Sequence, residues 1–206
     1  MSFYDKHILP RFINCACGTK PINYQRRKVV PQASGQILEI GIGTGLNLQH
    51  YDPQKVEKVI GLDPSVESWE LARKNNPDIK FPLEFVGLPS EEIPLDDNSI
   101  DTVLVTFSLC TIPDPVTALE GMRRVLKPGG QLIFAEHGRA PDANVRKWQD
   151  RINPYWQVIA GGCQLNRDIP SLLTEGGFKV TQMDSMYLPS TPKFAGFNYW
   201  GTAQAQ

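Results

Sequence analysis

Neither sign of charge dominates this 206-residue chain, in which 22 acidic side chains stand against 21 Lys and Arg for a formal net charge of -1. That balance excludes a global electrostatic drive toward nucleic-acid phosphates or an anionic membrane. The densest basic run, Gln25-Arg26-Arg27-Lys28, reads as an ordinary solvated segment. Long hydrophobic runs are missing as well: no stretch approaches the ~18 apolar residues of a membrane span. Residues 1–7 lack the basic region and apolar run of a signal peptide, so the cytoplasm is the expected compartment. The four cysteines, Cys15, Cys17, Cys110 and Cys163, show neither C-x-x-C spacing nor a histidine clustered with them in the chain. Reduced thiols and no metal are therefore expected. Repeats and low-complexity tracts are absent too.

What is present is an ordinary globular composition, 41% hydrophobic and 21% charged, in a chain long enough to bury one core. From Gln36 onward, short apolar runs alternate with amphipathic stretches, which predicts a mainly parallel sheet covered on both faces. Strands are expected over 36–40, 56–62, 83–86, 102–109 and 131–135. Helices are expected from near Thr44, over 66–74 behind the cap Ser65, from Pro115 behind the cap Asp114, over 142–152, and from Asp168 to Gly176-Gly177. The turn Lys127-Pro128-Gly129-Gly130 should feed the fifth strand. Two last strands, 178–186 and 197–203, pair as an antiparallel hairpin at the sheet's end.

In a sheet of this kind ligands bind beyond the carboxyl ends of the strands. Gly41, Gly43 and Gly45 stand there, within Glu39-Ile40-Gly41-Ile42-Gly43-Thr44-Gly45. Glycine admits positive φ and brings a ligand close to bare backbone. A dinucleotide fingerprint needs its third glycine where this chain has Leu46, which disfavours a nicotinamide oxidoreductase. Asp63, closing the second strand, can accept both hydrogen bonds from the ribose hydroxyls of an adenosine; the plainer alternative is a turn-forming Asp before Pro64.

The E-x-G-x-G-x-G pattern resembles motif I of the class I S-adenosylmethionine-dependent methyltransferases. The resemblance implies a single Rossmann-like α/β domain with a seven-stranded sheet, and a cofactor whose methionine part lies among Glu39, Gly41, Gly43 and Gly45. Pro64 and Thr106 join the expected cofactor contacts. Ser90-Glu91-Glu92-Ile93-Pro94-Leu95 and the acidic segment after it resemble the adenine-side loop of ubiquinone-type methyltransferases. Those relatives carry an Asp where this chain has Pro89, so adenine recognition passes to Ser90, Glu91 or backbone atoms. Val125-Leu126-Lys127-Pro128-Gly129-Gly130 matches the family's turn after the helix, and the matches together span 36–135.

Beyond that core, Glu136-His137, Asn153-Pro154 with Trp156, and Gly162-Cys163 with Leu165 are similar to the alkyl-thiol methyltransferase-like family of animals, here without those proteins' N-terminal hydrophobic anchor. The resemblance implies a small, rather apolar acceptor, a thiol first, with a lipid amine or quinol ring as alternative and S-adenosylhomocysteine as product. A noncatalytic cofactor-binding subunit is the other reading. His137, just past the fifth strand, is the candidate base or substrate-orienting group; otherwise it hydrogen-bonds the following loop. Glu136 is either functional or salt-bridged to Arg139 or Arg167. Cys110 and Cys163 read as small buried hydrophobes, and Asp168 as a helix cap. Trp148, Trp156, Tyr199 and Trp200 either wall an acceptor pocket or pack in the core. Residues 1–34, with Phe3, Ile8, Leu9, Phe12 and Ile13 on an apolar face, form a lid segment or at most touch a membrane surface. Residues 136–206 form the acceptor side. No nucleic-acid partner is expected, and the oligomeric state stays open.

Overall fold

The computed structural model describes residues 17–206, so the apolar face expected at Phe3 to Ile13 lies outside the described residues. Seven strands form one sheet: β1 (Gly35–Ile40), β2 (Val56–Leu62), β3 (Leu83–Val86), β4 (Ile100–Thr106), β5 (Leu126–His137), β6 (Phe178–Tyr187) and β7 (Phe197–Ala205). Their order is β3-β2-β1-β4-β5-β7-β6. The pairings among the first five are parallel, and β7 runs antiparallel to both β5 and β6. The expected hairpin is present with its second strand inside it.

The sheet is buried on both faces because its inner strands are apolar at consecutive positions. Leu38, Val103, Val105, Leu132 and Phe134 point to one core; Ile37, Leu104, Ile133 and Ala135 point to the other, as the two-residue strand period requires. The first core is closed by α3 (Pro115–Val125) through Leu119 and Met122, and by α5 (Ile169–Glu175) through Ile169 and Leu173. On the second, α1 (Lys20–Val29) contributes Val29, and α2 (Val66–Asn75) lays Trp69 against it. Fully buried side chains such as Phe134 and Phe178 each contribute about 1.5–3 kcal/mol from burial. The caps at Ser65, Asp114 and Asp168 each accept a backbone N–H at the third helical residue, worth ~1 kcal/mol apiece.

Four boundaries differ from expectation. After the glycine loop the chain makes turns and a short 3-10 segment, Leu48–His50, where a helix was expected from Thr44. Asn47 and Tyr51 in that stretch turn inward to Glu39 instead. β4 stops at Thr106 rather than Leu109, since Phe107 turns to φ 54. β5 begins at Leu126, paired with Ile100, and the expected turn at 127–130 becomes an irregularity in register, with Gly129 at φ 82. Finally, α4 (Ala143–Ile159) runs through Pro154. The ring deletes one internal hydrogen bond, but Gln149 and Asn153 pin the helix to the loops beside it: the Gln149 amide donates to the carbonyls of Gly138 and Leu165, and Asn153 Oδ1 accepts the Leu165 N–H. A one-turn helix, α6 (Lys193–Gly196), precedes β7. No helix among the described residues is long and apolar enough to cross a membrane.

Candidate active site

A cavity of about 670 Å³ opens beyond the carboxyl ends of β1, β2 and β4, within the range of small-molecule sites. Of the residues expected at the cofactor, Glu39, Gly41, Gly43, Asp63, Pro64, Ser90, Glu91 and Thr106 line it. Gly45 does not. Its φ is +74, and a Cβ there would stand 2.8 Å from Leu48 Cδ1 and 3.0 Å from Ala72 Cβ, so this glycine lets α2 pack against the loop. Gly41 and Gly43 also have positive φ, at +66 and +50. A Cβ on Gly41 would collide with the Ser108 side chain, whereas one on Gly43 would meet nothing closer than 3.8 Å. Gly43 therefore presents bare backbone to open space.

Asp63 staples this loop to the start of α2. Its Oδ2 accepts the Gly43 N–H at 2.9 Å and its Oδ1 accepts the Ser65 N–H at 2.8 Å. Burial raises its pKa, and the two backbone bonds oppose the rise. Each carboxylate oxygen offers two acceptor positions, so capacity remains for a diol facing the cavity.

Glu39 is 1% exposed and both its oxygens are engaged, by Asn47 Nδ2 at 2.9 Å and the Tyr51 hydroxyl at 2.7 Å. Burial pushes its pKa up to about 7 against those two bonds and the nearby Arg26 cation. Thr106 Oγ1 accepts from Arg26 Nη1 at 2.7 Å and from Asn47 Nδ2 at 2.9 Å. The network thus runs Tyr51, Glu39, Asn47, Thr106, Arg26.

Arg26 corrects an expectation. The run around it is not wholly solvated: Gln25 and Arg26 are buried, at 1% and 5% exposure. Arg26 lines the cavity, donates to Asn47 Oδ1 at 2.6 Å, and lies 5.1 Å from the centre of the Phe107 ring. Its Nε is buried without a hydrogen-bond partner among the described residues. The signal was available, because Ile22, Arg26, Val29 and Val30 share one helical stripe. Asn47, Phe107 and Cys17 are further residues at or beside the cavity that the motifs did not single out; Cys17 and Phe107 line it. Phe107, bulky and at positive φ, holds the kind of strained backbone that collects at functional sites.

In the loop expected to face adenine, Pro89 and Glu92 line the cavity beside Ser90 and Glu91. Glu91 Oε1 accepts the Asp114 N–H at 3.1 Å, tying that loop to the start of α3.

Glu136 makes no ion pair with Arg139 or Arg167. Its Oε1 accepts the N–H groups of Ser108 at 2.8 Å and Leu109 at 3.1 Å, which holds the turn after β4. Burial raises its pKa to about 7, against those bonds and the neighbouring His137. Arg167 donates instead to the Leu109 carbonyl. His137 is not among the residues lining the cavity; its Nε2 stands 3.2 Å from Cys163 Sγ. Burial lowers the imidazole pKa, but the Cys163 side chain and the Glu136 carboxylate together outweigh it and leave it raised. Cys110 and Cys163 are not isolated apolar fillers: with His137 they bring three donor atoms within 4.8 Å of one another. Of the aromatics, Trp156 Nε1 donates to Cys163 Sγ at 3.3 Å, Trp148 is 58% exposed, and Tyr199 and Trp200 pack against opposite cores. None of these four lines the cavity.

Comparison with known proteins matches residues 38–134 to the family described as a methyltransferase domain. The human thiol S-methyltransferase TMT1B is 34% identical over 185 residues, spanning 84% of this chain and 75% of that one. The demethylmenaquinone methyltransferase of Renibacterium salmoninarum is 33% identical over 115 residues, 53% of this chain and 46% of its own. Among solved structures, a SAM-dependent methyltransferase of Thermotoga maritima, described as a possible histamine N-methyltransferase, superposes with a TM-score of 0.66. It is 22% identical and covers 98% of this chain and 99% of that one.

Proposed function

The chain belongs to the class I S-adenosylmethionine-dependent methyltransferases, and from that premise we propose that its acceptor is a small, rather apolar thiol, methylated on sulfur. The observation that carries this reading is the extent of the match to the thiol S-methyltransferase. It takes in 84% of the chain, against 53% for the quinone-ring enzyme, and so passes beyond the cofactor core into the region after β5.

When bound, the cofactor supplies an electrophilic sulfonium methyl. The cavity fits it: bare backbone at Gly43, a carboxylate with spare acceptor capacity at Asp63, and a buried cation at Arg26 whose Nε lacks a partner among the described residues. In this reading Asp63 takes the ribose hydroxyls, Ser90 and Glu91 face the adenine, and Arg26 pairs with the methionine carboxylate. Glu39 acts one step back, holding Asn47 and Tyr51 while Asn47 in turn orients Arg26. Gly41 leaves room for Ser108 beside that seat.

Because an ordinary thiol has a pKa near ~8.5, it already carries some thiolate at neutral pH, so in-line approach matters more than a strong base. The role assigned to His137 follows its partner: it positions the acceptor end through Cys163 rather than standing free as a base. The cytoplasm, where thiols such as Cys17 and Cys163 stay reduced, is the compartment this reading favours.

The test is a mass-spectrometric acceptor screen with S-adenosylhomocysteine formation as readout. Alkyl thiols are expected to be methylated in preference to phenols, amines and quinols. Preference for a quinol, or cofactor binding with no turnover on any acceptor, would overturn the proposal.

A further inference from the structure

Cys110, His137 and Cys163 come from three segments: the loop after β4, the end of β5 and the loop after α4. The fold draws their ligand atoms within 4.8 Å of one another. We propose that these three side chains hold one zinc ion, with its fourth coordination position left open to an exogenous sulfur ligand.

The donor set suits that ion. Zinc takes thiolate sulfur at ~2.3 Å and imidazole nitrogen at ~2.0–2.1 Å in a tetrahedron, and three protein ligands with one open position mark reactive rather than structural sites. A tetrahedral zinc with those bond lengths sets its sulfur–nitrogen edge at roughly 3.5 Å and its sulfur–sulfur edge at roughly 3.8 Å. His137 Nε2, now 3.2 Å from Cys163 Sγ, therefore has only to open slightly, and all three ligand atoms already lie within 4.8 Å of one another. On binding, each cysteine loses its proton to solvent, and two thiolates with a neutral imidazole cancel the charge of a divalent ion. A site of zero net charge is one a protein interior tolerates.

The surroundings are built to hold the geometry. The Gln164 N–H donates to the Cys110 carbonyl at 2.9 Å, tying the two cysteine loops together. Gly161 and Gly162, at φ 60 and 87, make the turn that delivers Cys163. The Trp156 indole N–H at 3.3 Å from Cys163 Sγ would support a thiolate there, as outer hydrogen bonds commonly do around bound metals.

Position relative to the cavity gives the open site its use. Thr111 lines the cavity, and its Oγ1 lies 3.4 Å from Cys110 Sγ, so one side chain separates the cluster from the cofactor's seat. On the thiol-acceptor reading, on which this use rests, the acceptor sulfur takes the fourth position and gives up its proton to solvent on coordination, leaving the site with one negative charge that transfer of the sulfonium methyl then removes. It then waits as a thiolate whatever its free pKa.

The experiment uses the full chain, kept reduced with a phosphine, stripped with a chelator and titrated with Co²⁺. One equivalent is expected to give the intense visible bands of a tetrahedral ion and a near-ultraviolet sulfur-to-cobalt band; one equivalent of Zn²⁺ then bleaches both. Cys110→Ser and Cys163→Ser should each weaken Co²⁺ binding by about 100-fold, with S-adenosylhomocysteine binding by calorimetry confirming that each variant is folded. Adding 2-mercaptoethanol to the cobalt protein should shift the visible bands. Absence of a tetrahedral spectrum, or its survival in Cys163→Ser, overturns the zinc site, and bands indifferent to the thiol overturn the open position. These readouts need no methyl transfer. A protein that methylates thiols yet ignores cobalt would sink the zinc site and leave the thiol reading standing.

Discussion

The two ends of this site are built on different principles. At the cofactor end, a short stretch of chain from Glu39 to Tyr51 makes the loop, and its charged groups are locked by near neighbours: Asp63 holds backbone N–H groups, and Glu39 holds Asn47 and Tyr51. At the proposed acceptor end, beside the cavity rather than lining it, Cys110, His137 and Cys163 meet from distant segments through sulfur contacts. Strong local bonds give a rigid seat for a constant ligand. The cluster depends instead on sheet order to bring its three segments together.

The contrast can be broken most directly at Asp63. Asp63→Ala removes the proposed acceptor for the ribose and the staple for Gly43, and the loss of two hydrogen bonds to a charged group predicts S-adenosylhomocysteine affinity down by about 100-fold or more. Calorimetry giving unchanged affinity would place the seat elsewhere. Next in size, His137→Ala should cut methyl transfer by about 10–100-fold while leaving that affinity within about threefold; equal losses in turnover and binding would erase the division between the two ends.

A smaller effect separates two glycines of one loop. Gly45→Ala forces a Cβ into Leu48 and Ala72 at positive φ, and should cost about 1–3 kcal/mol in urea unfolding with cofactor affinity nearly intact. A large loss of affinity at undiminished stability would put Gly45 in the site after all.

Smallest is a pH effect at Glu39. Its carboxyl, pushed up to about 7 from an ordinary 4.5, keeps its proton in the folded chain over a range where the unfolded chain has lost it. Between those values the folded state binds more protons, so this group's contribution to stability falls as pH rises from 4.5 to about 7. Glu39→Gln, which can keep one acceptor and no charge, should flatten that decline in unfolding curves taken across the window. A slope identical to that of the parent protein would show that Glu39 is ionised throughout.

The same contrast decides what could be read without coordinates. β2 and β3 and the caps at Ser65, Asp114 and Asp168 all depend on residues adjacent in the chain, and each is present as expected. Arg26 was misread because a cation in a basic run is normally solvated; only its partners Asn47 and Thr106, far along the chain, make its burial tolerable. The cysteine–histidine cluster carries no spacing signal, since sheet order and not sequence brings the segments together. The helix expected over 142–152 runs on through Pro154 to Ile159 because Gln149 and Asn153 are tied to other loops.

β7 follows β6 in the chain but lies between β6 and β5. During synthesis, therefore, β6 emerges with no partner on the growing sheet and must wait as a loose ribbon until the later strand slots in beside it. Until then the flank of β5 is a bare row of amide groups, open to another chain. Folding of this protein should be slowest, and most in need of a chaperone, in that interval.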